Sequence, residues 1–193
     1  MASVPRILAF AGSLRKDSYN KKLVAIAAAG ARNAGAEVTL IDLADYPLPV
    51  FDQDLESAQG LPDSAVRLKA ELKNHHAFLI GCPEYNSSIT SALKNAIDWA
   101  SRPVPDEAPL ECFKGKVAAI MSASPGALGG LRGLVHVRAI LSNIHVLVLP
   151  DQKAIPSAHE AFDDHGSLKD PKQRQAVLDI GVRLAETMAK LAD

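Results

Sequence analysis

The sequence contains few cysteines, few aromatic residues and no excess of charge of either sign. Two cysteines, Cys82 and Cys112, occur in 193 residues, which is too few for a disulfide framework and typical of a reducing, cytoplasmic setting. The 21 basic and 22 acidic residues give a net charge of −1. Nucleic-acid binding requires clustered positive charge, so we expect no nucleic-acid partner.

Long apolar runs are also missing. The longest apolar run of helical character, Leu23 to Ala31, is rich in alanine and too short to cross a bilayer. The first residues, from Met1 to Arg6, lack the basic and then apolar pattern of a secretory signal. Hydrophobic residues still make up 48% of the chain, which excludes a disordered protein. We therefore expect one cytoplasmic domain, residues 1–193, without a membrane partner.

Five short apolar runs predict a parallel sheet. Each run is nearly continuous in apolar residues, which indicates strands buried on both faces. Segments with helical spacing alternate with the runs, so right-handed βαβ crossovers and a doubly wound α/β fold are predicted. The predicted strands are Arg6–Phe10, Glu37–Asp42, Ala77–Cys82, Lys116–Met121 and His145–Leu149. The predicted helices are Asn20–Asn33, Asp63–Asn74, Thr90–Ser101, Gly130–Asn143 and a final helix with an apolar stripe of Val177, Ile180, Leu184, Met188 and Leu191.

Three polar loops follow predicted strands. In open parallel sheets, ligands bind beyond the carboxyl ends of the strands, where the strand order reverses. With the first strand placed between the second and the third, that crevice is bordered by the loops Ala11–Asn20, Pro83–Ile89 and Ser122–Gly130. Two other connections, Pro47–Leu61 and Asp151–Asp170, are long enough to be functional or to contain short elements of their own.

The first loop ends at a predicted helix N-terminus, which offers free backbone N–H groups to a phosphate. Side-chain donors are available on Ser13, Ser18 and Asn20, and Arg15 adds a charged guanidinium. The structural alternative is a strand-to-helix turn in which Ser18 caps the helix and Arg15 is solvated. Neither of the stronger phosphate motifs, G-x-G-x-x-G and G-x-x-x-x-G-K-[ST], is present, so a mononucleotide is favoured over a dinucleotide.

Other chemistries fit the remaining loops less well. A phosphatase would need an arginine six residues after Cys82, where Ser88 stands, so Cys82 is interpreted as a buried strand cysteine. The stretch from Ser122 to Gly126 imitates the G-x-S-x-G pattern of serine hydrolases but has Ser122 in place of the first glycine. The histidines and cysteines lack metal-ligand spacing, and we predict no metal site.

Two segments together resemble the NADPH-dependent FMN reductase family, which includes quinone, chromate and azo reductases of flavodoxin-like fold. The segments are Gly12-Ser13-Leu14-Arg15-Lys16-Asp17-Ser18-Tyr19-Asn20 and Pro83-Glu84-Tyr85-Asn86-Ser87-Ser88-Ile89, the latter continuing through Ala92-Leu93-Lys94-Asn95-Ala96-Ile97-Asp98-Trp99. Ser124-Pro125-Gly126-Ala127-Leu128-Gly129-Gly130 is similar to the family as well. The resemblance implies a five-stranded flavodoxin-like fold, bound FMN, reduction by NADPH or NADH, and a small-molecule acceptor such as a quinone, azo compound, flavin or metal oxyanion. The alternatives are a flavodoxin-like electron carrier and a nucleotide-binding module without redox activity. The balance of 21 basic and 22 acidic residues disfavours the carrier, because such carriers tend to be strongly acidic.

The resemblance also assigns the cofactor-binding residues. The phosphate would be held by Ser13, Arg15, Ser18 and Asn20. The flavin ring would be bordered by Pro83, Glu84, Tyr85 and Asn86 on one side and by Ser122, Ser124 and Gly126 on the other, with Tyr19 and Ser87 completing the set. No catalytic residue is expected, because the flavin supplies the chemistry.

Two further expectations come from the resemblance. The family forms homodimers or homotetramers, and we expect helices Thr90–Ser101 and Gly130–Asn143 to form the contact. The family usually has Gly-Ser-Ile-Pro-Gly after the asparagine, whereas this chain has Ser87-Ser88-Ile89-Thr90-Ser91, so the backbone here can differ. A Glu84 carboxylate directed at the ring would oppose negative charge on a reduced flavin.

Overall fold

A computed structural model describes residues 4–191. The seven strands are β1 (Arg6–Ala11), β2 (Glu37–Leu40), β3 (Ala77–Gly81), β4 (Glu84–Tyr85), β5 (Ser88–Ile89), β6 (Val117–Ala123) and β7 (Leu147–Ile155). Among these described residues the α-helices are α1 (Tyr19–Asn33), α2 (Gln53–Gln59), α3 (Asp63–Asn74), α4 (Ser91–Ala100), α5 (Leu131–Asn143), α6 (Ala158–Ala161) and α7 (Pro171–Leu191), and Leu43–Asp45 forms a short 3-10 helix. Residues 1–3, which belong to the segment used to exclude a secretory signal, lie outside the described residues.

The main sheet has five parallel strands in the order β2-β1-β3-β6-β7. This order confirms the predicted flavodoxin-like arrangement, in which the first strand lies between the second and the third. The order reverses between β1 and β3, so the crevice expected at this point lies above their carboxyl ends. No helix among the described residues is long and apolar enough to cross a membrane.

The sheet separates two apolar cores. Alternate β1 residues point to opposite faces, so Ile7 and Ala9 pack with α1 and α7, whereas Leu8 and Phe10 pack with α3, α4 and α5. Helix α1 approaches α7 very closely: a Cβ on Gly30 would lie 2.1 Å from the backbone oxygen of Leu178. The small residues of the alanine-rich α1 therefore allow α7 to pack directly against it.

The edges of the sheet differ from the sequence predictions. The prediction that all five strands are buried on both faces is wrong for the two edge strands. Glu37, Thr39 and Leu40 of β2 are exposed, and so is Leu147 of β7. Strand β6 continues to Ala123, so Ser122 lies in the strand rather than in the following loop.

The last strand and helix also differ in detail. Strand β7 continues to Ile155 past Pro150, which lies where the β6–β7 register shifts; proline is tolerated at such irregular edge positions. The predicted connection Asp151–Asp170 is shorter as a result and contains α6, and the connection Pro47–Leu61 contains α2. In α7, Val177, Ile180 and Leu184 are buried as predicted, but Leu191 is 60% exposed.

Candidate functional site

Three loops come together at the carboxyl ends of β1, β3 and β6. We call them loop 1 (residues 12–18), loop 2 (residues 82–90) and loop 3 (residues 124–130). The three strands are neighbours in the sheet, and each loop leads toward a helix, α1, α4 or α5 respectively. The structure therefore assembles the loops that the sequence singled out at one edge of the sheet.

Loop 1 starts with a close approach to α4. A Cβ on Gly12 would lie 2.7 Å from the Cβ of Leu93, so only glycine fits here without a shift. The Ser13 hydroxyl, which is buried, accepts a hydrogen bond from the backbone N–H of Arg15 at 3.3 Å. Arg15 itself is exposed, and its guanidinium forms no hydrogen bond or ion pair with residues 4–191. It is free to bind an anion.

Helix α1 begins directly after loop 1 with a side-chain cap. Ser18 is the N-cap, and its hydroxyl accepts from the backbone N–H of Asn20 at 3.2 Å, as the structural alternative predicted. The Tyr19 ring is stacked on Phe162 with ring centroids 5.8 Å apart. In the described part of the chain, the backbone N–H groups of Lys16, Asp17 and Tyr19 have no acceptor. Together with the positive end of the α1 dipole, these N–H groups can receive a phosphate.

Loop 2 contains a short hairpin that the sequence did not predict. Strands β4 and β5 are antiparallel, with Tyr85 opposite Ser88, and the two residues between them, Asn86 and Ser87, have φ values of 51° and 66°. Two consecutive positive φ angles are typical of a type I′ turn, which asparagine tolerates and glycine favours. Pro83 is buried at the base of the hairpin and Tyr85 is 54% exposed at its end.

Thr90 connects loop 2 to loop 1. Its hydroxyl donates a hydrogen bond to the carbonyl oxygen of Gly12 at 2.6 Å and accepts one from the backbone N–H of Leu93 at 3.2 Å. Thr90 is the N-cap of α4 and is 3% exposed. The family has proline in this place according to the resemblance, and proline has neither a hydroxyl nor an N–H. The departure at Thr90 thus supplies a contact between two loops of the site.

Glu84 connects loop 2 to the beginning of α5. One carboxylate oxygen accepts from the backbone N–H of Gly133 at 2.8 Å, and the other is 3.0 Å from the Arg132 guanidinium. An acid at a helix N-terminus is stabilised by the helix dipole. Both oxygens are bound on α5, so the negative charge of Glu84 is compensated there. Arg132 and Gly133 were not identified from the sequence, because neither has a local signal.

Loop 3 follows β6 and is largely exposed. The Ser124 hydroxyl accepts from the backbone N–H of Gly126 at 3.2 Å. Ser122, one position inside the end of β6, is fully buried, and its hydroxyl has no hydrogen-bond partner among residues 4–191. A Cβ on Gly130, which has a φ of 88°, would lie 2.0 Å from this hydroxyl oxygen. Gly130 therefore has to be glycine for the backbone of loop 3 to pack against Ser122.

The described residues do not assemble the other kinds of site that were considered from the sequence, namely a cysteine phosphatase, a serine hydrolase and a metal site. Cys82 is fully buried, and burial raises the pKa of its thiol, so it stays protonated and is a poor nucleophile. No hydrogen bond joins Ser124 to a histidine in the described part of the chain; His75 and His136 form hydrogen bonds with Thr39 and Ser88 instead. Within residues 4–191, no three or more His, Cys, Asp and Glu side chains are grouped as metal ligands would be.

Comparison with known proteins decides the family. The sequence profile of the NADPH-dependent FMN reductases matches residues 5–160. The chain belongs to this family. It is 38% identical over 174 residues to an NAD(P)H-dependent FMN reductase of Pseudomonas aeruginosa, with 89% of each chain covered. It is 36% identical over 171 residues to a quinone reductase of Pseudomonas putida, with 88% of each covered.

A solved structure agrees with both the family and the fold. The flavoenzyme NAD(P)H:acceptor oxidoreductase FerB of Paracoccus denitrificans superposes with a TM-score of 0.81 at 30% identity, and the match covers 97% of this chain and 98% of that one. The predictions of the family, of the flavodoxin-like fold and of an FMN-dependent NAD(P)H oxidoreductase are confirmed. FMN is the cofactor of this FMN reductase, and NAD(P)H is its reductant.

Proposed function

We propose that this FMN reductase transfers two electrons from NAD(P)H to a quinone, with the FMN phosphate held by loop 1 and the start of α1. The observation that carries the proposal is the set of free donors there: the backbone N–H groups of Lys16, Asp17 and Tyr19 and the unpaired guanidinium of Arg15. Donors of this kind fit a phosphate, which accepts several charged or dipolar hydrogen bonds at once.

The flavin ring, in this proposal, lies between loops 2 and 3. Loop 2 presents the exposed Tyr85 and the Asn86–Ser87 turn, and loop 3 presents Ser124 and Gly126. When bound, FMN supplies the two-electron redox chemistry, and the protein orients it and excludes competing reactions. The compensated charge of Glu84 favours this arrangement, because an uncompensated carboxylate near the ring would oppose negative charge on the reduced flavin.

Three of the residues assigned from the resemblance have other contacts. Ser18 caps α1, Tyr19 stacks on Phe162, and the Asn20 side chain binds the backbone of Ala123. We therefore assign the phosphate to Arg15, the backbone N–H groups and the hydroxyls of Ser13 and Ser18, which accept one hydrogen bond each and can still donate, rather than to the Asn20 amide. Ser122 is too deeply buried to border the ring directly, and its role is to support loop 3.

The choice of a quinone is supported by the relatives. The Pseudomonas putida protein is named a quinone reductase, and related proteins of rice are named probable NADPH:quinone oxidoreductases. A quinone accepts two electrons and two protons and becomes a hydroquinone. The hydride of NAD(P)H provides both electrons and one of the protons, and the solvent provides the second proton. The neutral charge balance of the chain, 21 basic and 22 acidic residues, favours an uncharged acceptor over docking to a charged protein partner.

A steady-state assay tests this proposal. The purified protein is mixed with FMN and either NADPH or NADH, and nucleotide oxidation is followed with a soluble naphthoquinone, an azo dye, chromate and a ferric chelate in parallel. We expect the quinone to give the highest kcat/KM. A nucleotide oxidation rate that does not rise when the quinone is added would contradict the choice of acceptor, while leaving FMN binding intact.

We also propose that the whole chain acts as a single FMN-binding domain, forms a homo-oligomer through α5, and works in the cytoplasm. Leu131 and Val135, four residues apart on α5, are 43% and 60% exposed, and neighbouring exposed apolar side chains are typical of a protein interface. On α4, in contrast, Leu93, Ile97 and Trp99 are buried, so the expected contribution of α4 to the interface is smaller. Light scattering of the intact protein tests the oligomer as a multiple of 20.5 kDa.

The proposed cytoplasmic location is supported by the two free, buried cysteines, which are consistent with a reducing compartment.

A further inference from the structure

The Asn20 side chain forms an unusual pair of hydrogen bonds with a distant backbone. Its Nδ2 donates to the carbonyl oxygen of Ala123 at 2.8 Å, and its Oδ1 accepts from the backbone N–H of Ala123 at 3.0 Å. Asn20 lies in the first turn of α1 and is 3% exposed. Ala123 is the last residue of β6. One amide thus binds both backbone groups of a single residue 103 positions away.

The topology explains why these backbone groups are available. Strand β3 pairs with β6 as far as Gly81 opposite Met121, and the backbone N–H of Cys82 makes the last bond, to Met121. Pro83 then turns the chain away. On the β3 side, Ala123 consequently has no strand neighbour, and the Asn20 amide occupies that place. A buried backbone N–H and C=O without a partner would be costly.

This contact is the third of three that connect the segments around the crevice. Thr90 joins loop 2 to loop 1 at Gly12, and Glu84 joins loop 2 to the start of α5 at Gly133. Between residues 12–20 and residues 122–130, the two bonds of Asn20 are the only hydrogen bonds that the described chain forms. These two bonds join the start of α1, which follows loop 1, to the end of β6, from which loop 3 departs.

We propose that Asn20 is a positioning residue that sets the spacing of the flavin crevice, and that it acts on the whole flavin rather than as a ligand of its phosphate. The inference rests on the proposed placement of FMN between the three loops. The oxygen and one N–H of the amide are already bound to Ala123, and a rearrangement that freed them for a phosphate would leave the backbone groups of Ala123 unpaired. Loss of the amide would let loops 1 and 3 move apart, which weakens contacts to the ring and to the phosphate together.

Comparison of FMN with riboflavin, which lacks the phosphate, separates the two roles. Protein freed of flavin is titrated with each compound by flavin fluorescence, well below the unfolding temperature. For Asn20→Ala we expect the dissociation constants of FMN and riboflavin to rise by a similar factor, on the order of ten- to a hundredfold. Arg15→Ala is the matched control, and it should weaken FMN binding alone.

Two results would overturn the inference. A loss confined to FMN would make Asn20 a phosphate ligand, and unchanged binding of both compounds would make it a residue of structural importance only. Failure of the unmodified protein to bind either flavin would instead contradict the proposed placement of FMN. Because this result is seen without any substitution, it is distinguishable from a failure of the inference about Asn20. The melting temperature of each variant is measured alongside to verify that it is folded.

Asn20→Asp provides a second measurement, which remains informative if the alanine variant does not fold. A protonated carboxyl group has one donor and one acceptor and can form both bonds to Ala123, whereas the ionised form can only accept. Burial favours the protonated form. We expect the riboflavin affinity of this variant to rise toward that of the unmodified protein as the pH is lowered, with no matching rise in the unmodified protein. If the difference in riboflavin affinity between Asn20→Asp and the unmodified protein did not change with pH, the inference would be contradicted.

Discussion

Thr90 gives the sharpest test of how the crevice is built. Thr90→Val keeps the shape of the side chain but removes the hydroxyl, which donates to the carbonyl oxygen of Gly12 and accepts from the N–H of Leu93. Loss of an N-cap costs about 0.5–2 kcal/mol, and a buried carbonyl left without its partner costs about 1–3 kcal/mol. Because Thr90 is only 3% exposed, water cannot replace the hydroxyl without rearrangement. We expect a loss of roughly 2–4 kcal/mol in the free energy of unfolding.

Urea denaturation followed by circular dichroism measures this loss. In a chain of 193 residues, it corresponds to a fall in Tm of roughly 5–15 °C. Thr90→Ser is the control, because it keeps both hydrogen bonds and removes one methyl group, worth about 1 kcal/mol. FMN affinity should fall in the valine variant and not in the serine variant, since the former releases loop 1. Equal stability of the two variants would show that the hydroxyl contacts of Thr90 are unimportant and that they do not hold loops 1 and 2 together.

Three other predictions concern single residues. Arg15→Ala should raise the dissociation constant of FMN about ten- to a hundredfold, as loss of a charged hydrogen bond of about 1.5–3 kcal/mol requires; unchanged FMN retention during gel filtration would contradict it. Ser87→Gly should stabilise the protein by about 0.5–1 kcal/mol in urea denaturation, because Ser87 has a φ of 66°, whereas Ser88→Gly in β5 should destabilise it. Glu107→Gln, which removes the charge that pairs with Lys69 and Lys73, should cost about 1.5–3 kcal/mol at neutral pH. Asp98→Asn, the control, breaks the solvent-accessible ion pair with Lys94 and should cost much less.

The last of these predictions includes a pH dependence. Burial raises the pKa of Glu107, but hydrogen bonds and charge from Lys73 and Lys69, at 2.5 and 2.9 Å, outweigh it and hold the pKa below the ordinary value of 4.5. A carboxyl whose pKa is depressed in the folded state stabilises the protein above its unfolded pKa, and this contribution is lost as the pH falls through the folded pKa. The difference in unfolding free energy between the unmodified protein and Glu107→Gln should therefore shrink below about pH 4.5. A difference that stays constant down to pH 3 would contradict this explanation.

The architecture could be predicted because its signals are local. Apolar runs indicate the strands, helical spacing indicates α1, α3, α4, α5 and α7, and alternation of the two implies parallel crossovers. The exposure of β2 could not be predicted in the same way. Val38 and Leu40 are apolar in sequence, and only the position of β2 at the sheet edge leaves them partly uncovered. The length of β7 was likewise hidden by Pro150, which usually ends a strand.

The loops of the site were predictable, but the contacts that arrange them were not. Positions 12–20, 83–89 and 122–130 follow strands in the sequence, so a general rule for parallel sheets identifies them. Asn20, Thr90 and Glu84, in contrast, act across long stretches of chain, on Ala123, Gly12 and Gly133. The partners of such side chains depend on how the sheet is assembled. From the sequence alone, Asn20 can be predicted only as a donor to the phosphate, and Thr90 only as a departure from the family pattern.

The separation of Asn20 from Ala123 has a consequence for biosynthesis. A nascent chain that has just incorporated Asn20 must be extended by 103 residues before Ala123 exists, and β6 must then pair with β3. Contacts so distant in sequence form late in folding. Flavin uptake should therefore begin only after translation has passed β6, and the loss of free-flavin fluorescence should report the final stage of maturation rather than the collapse of the chain.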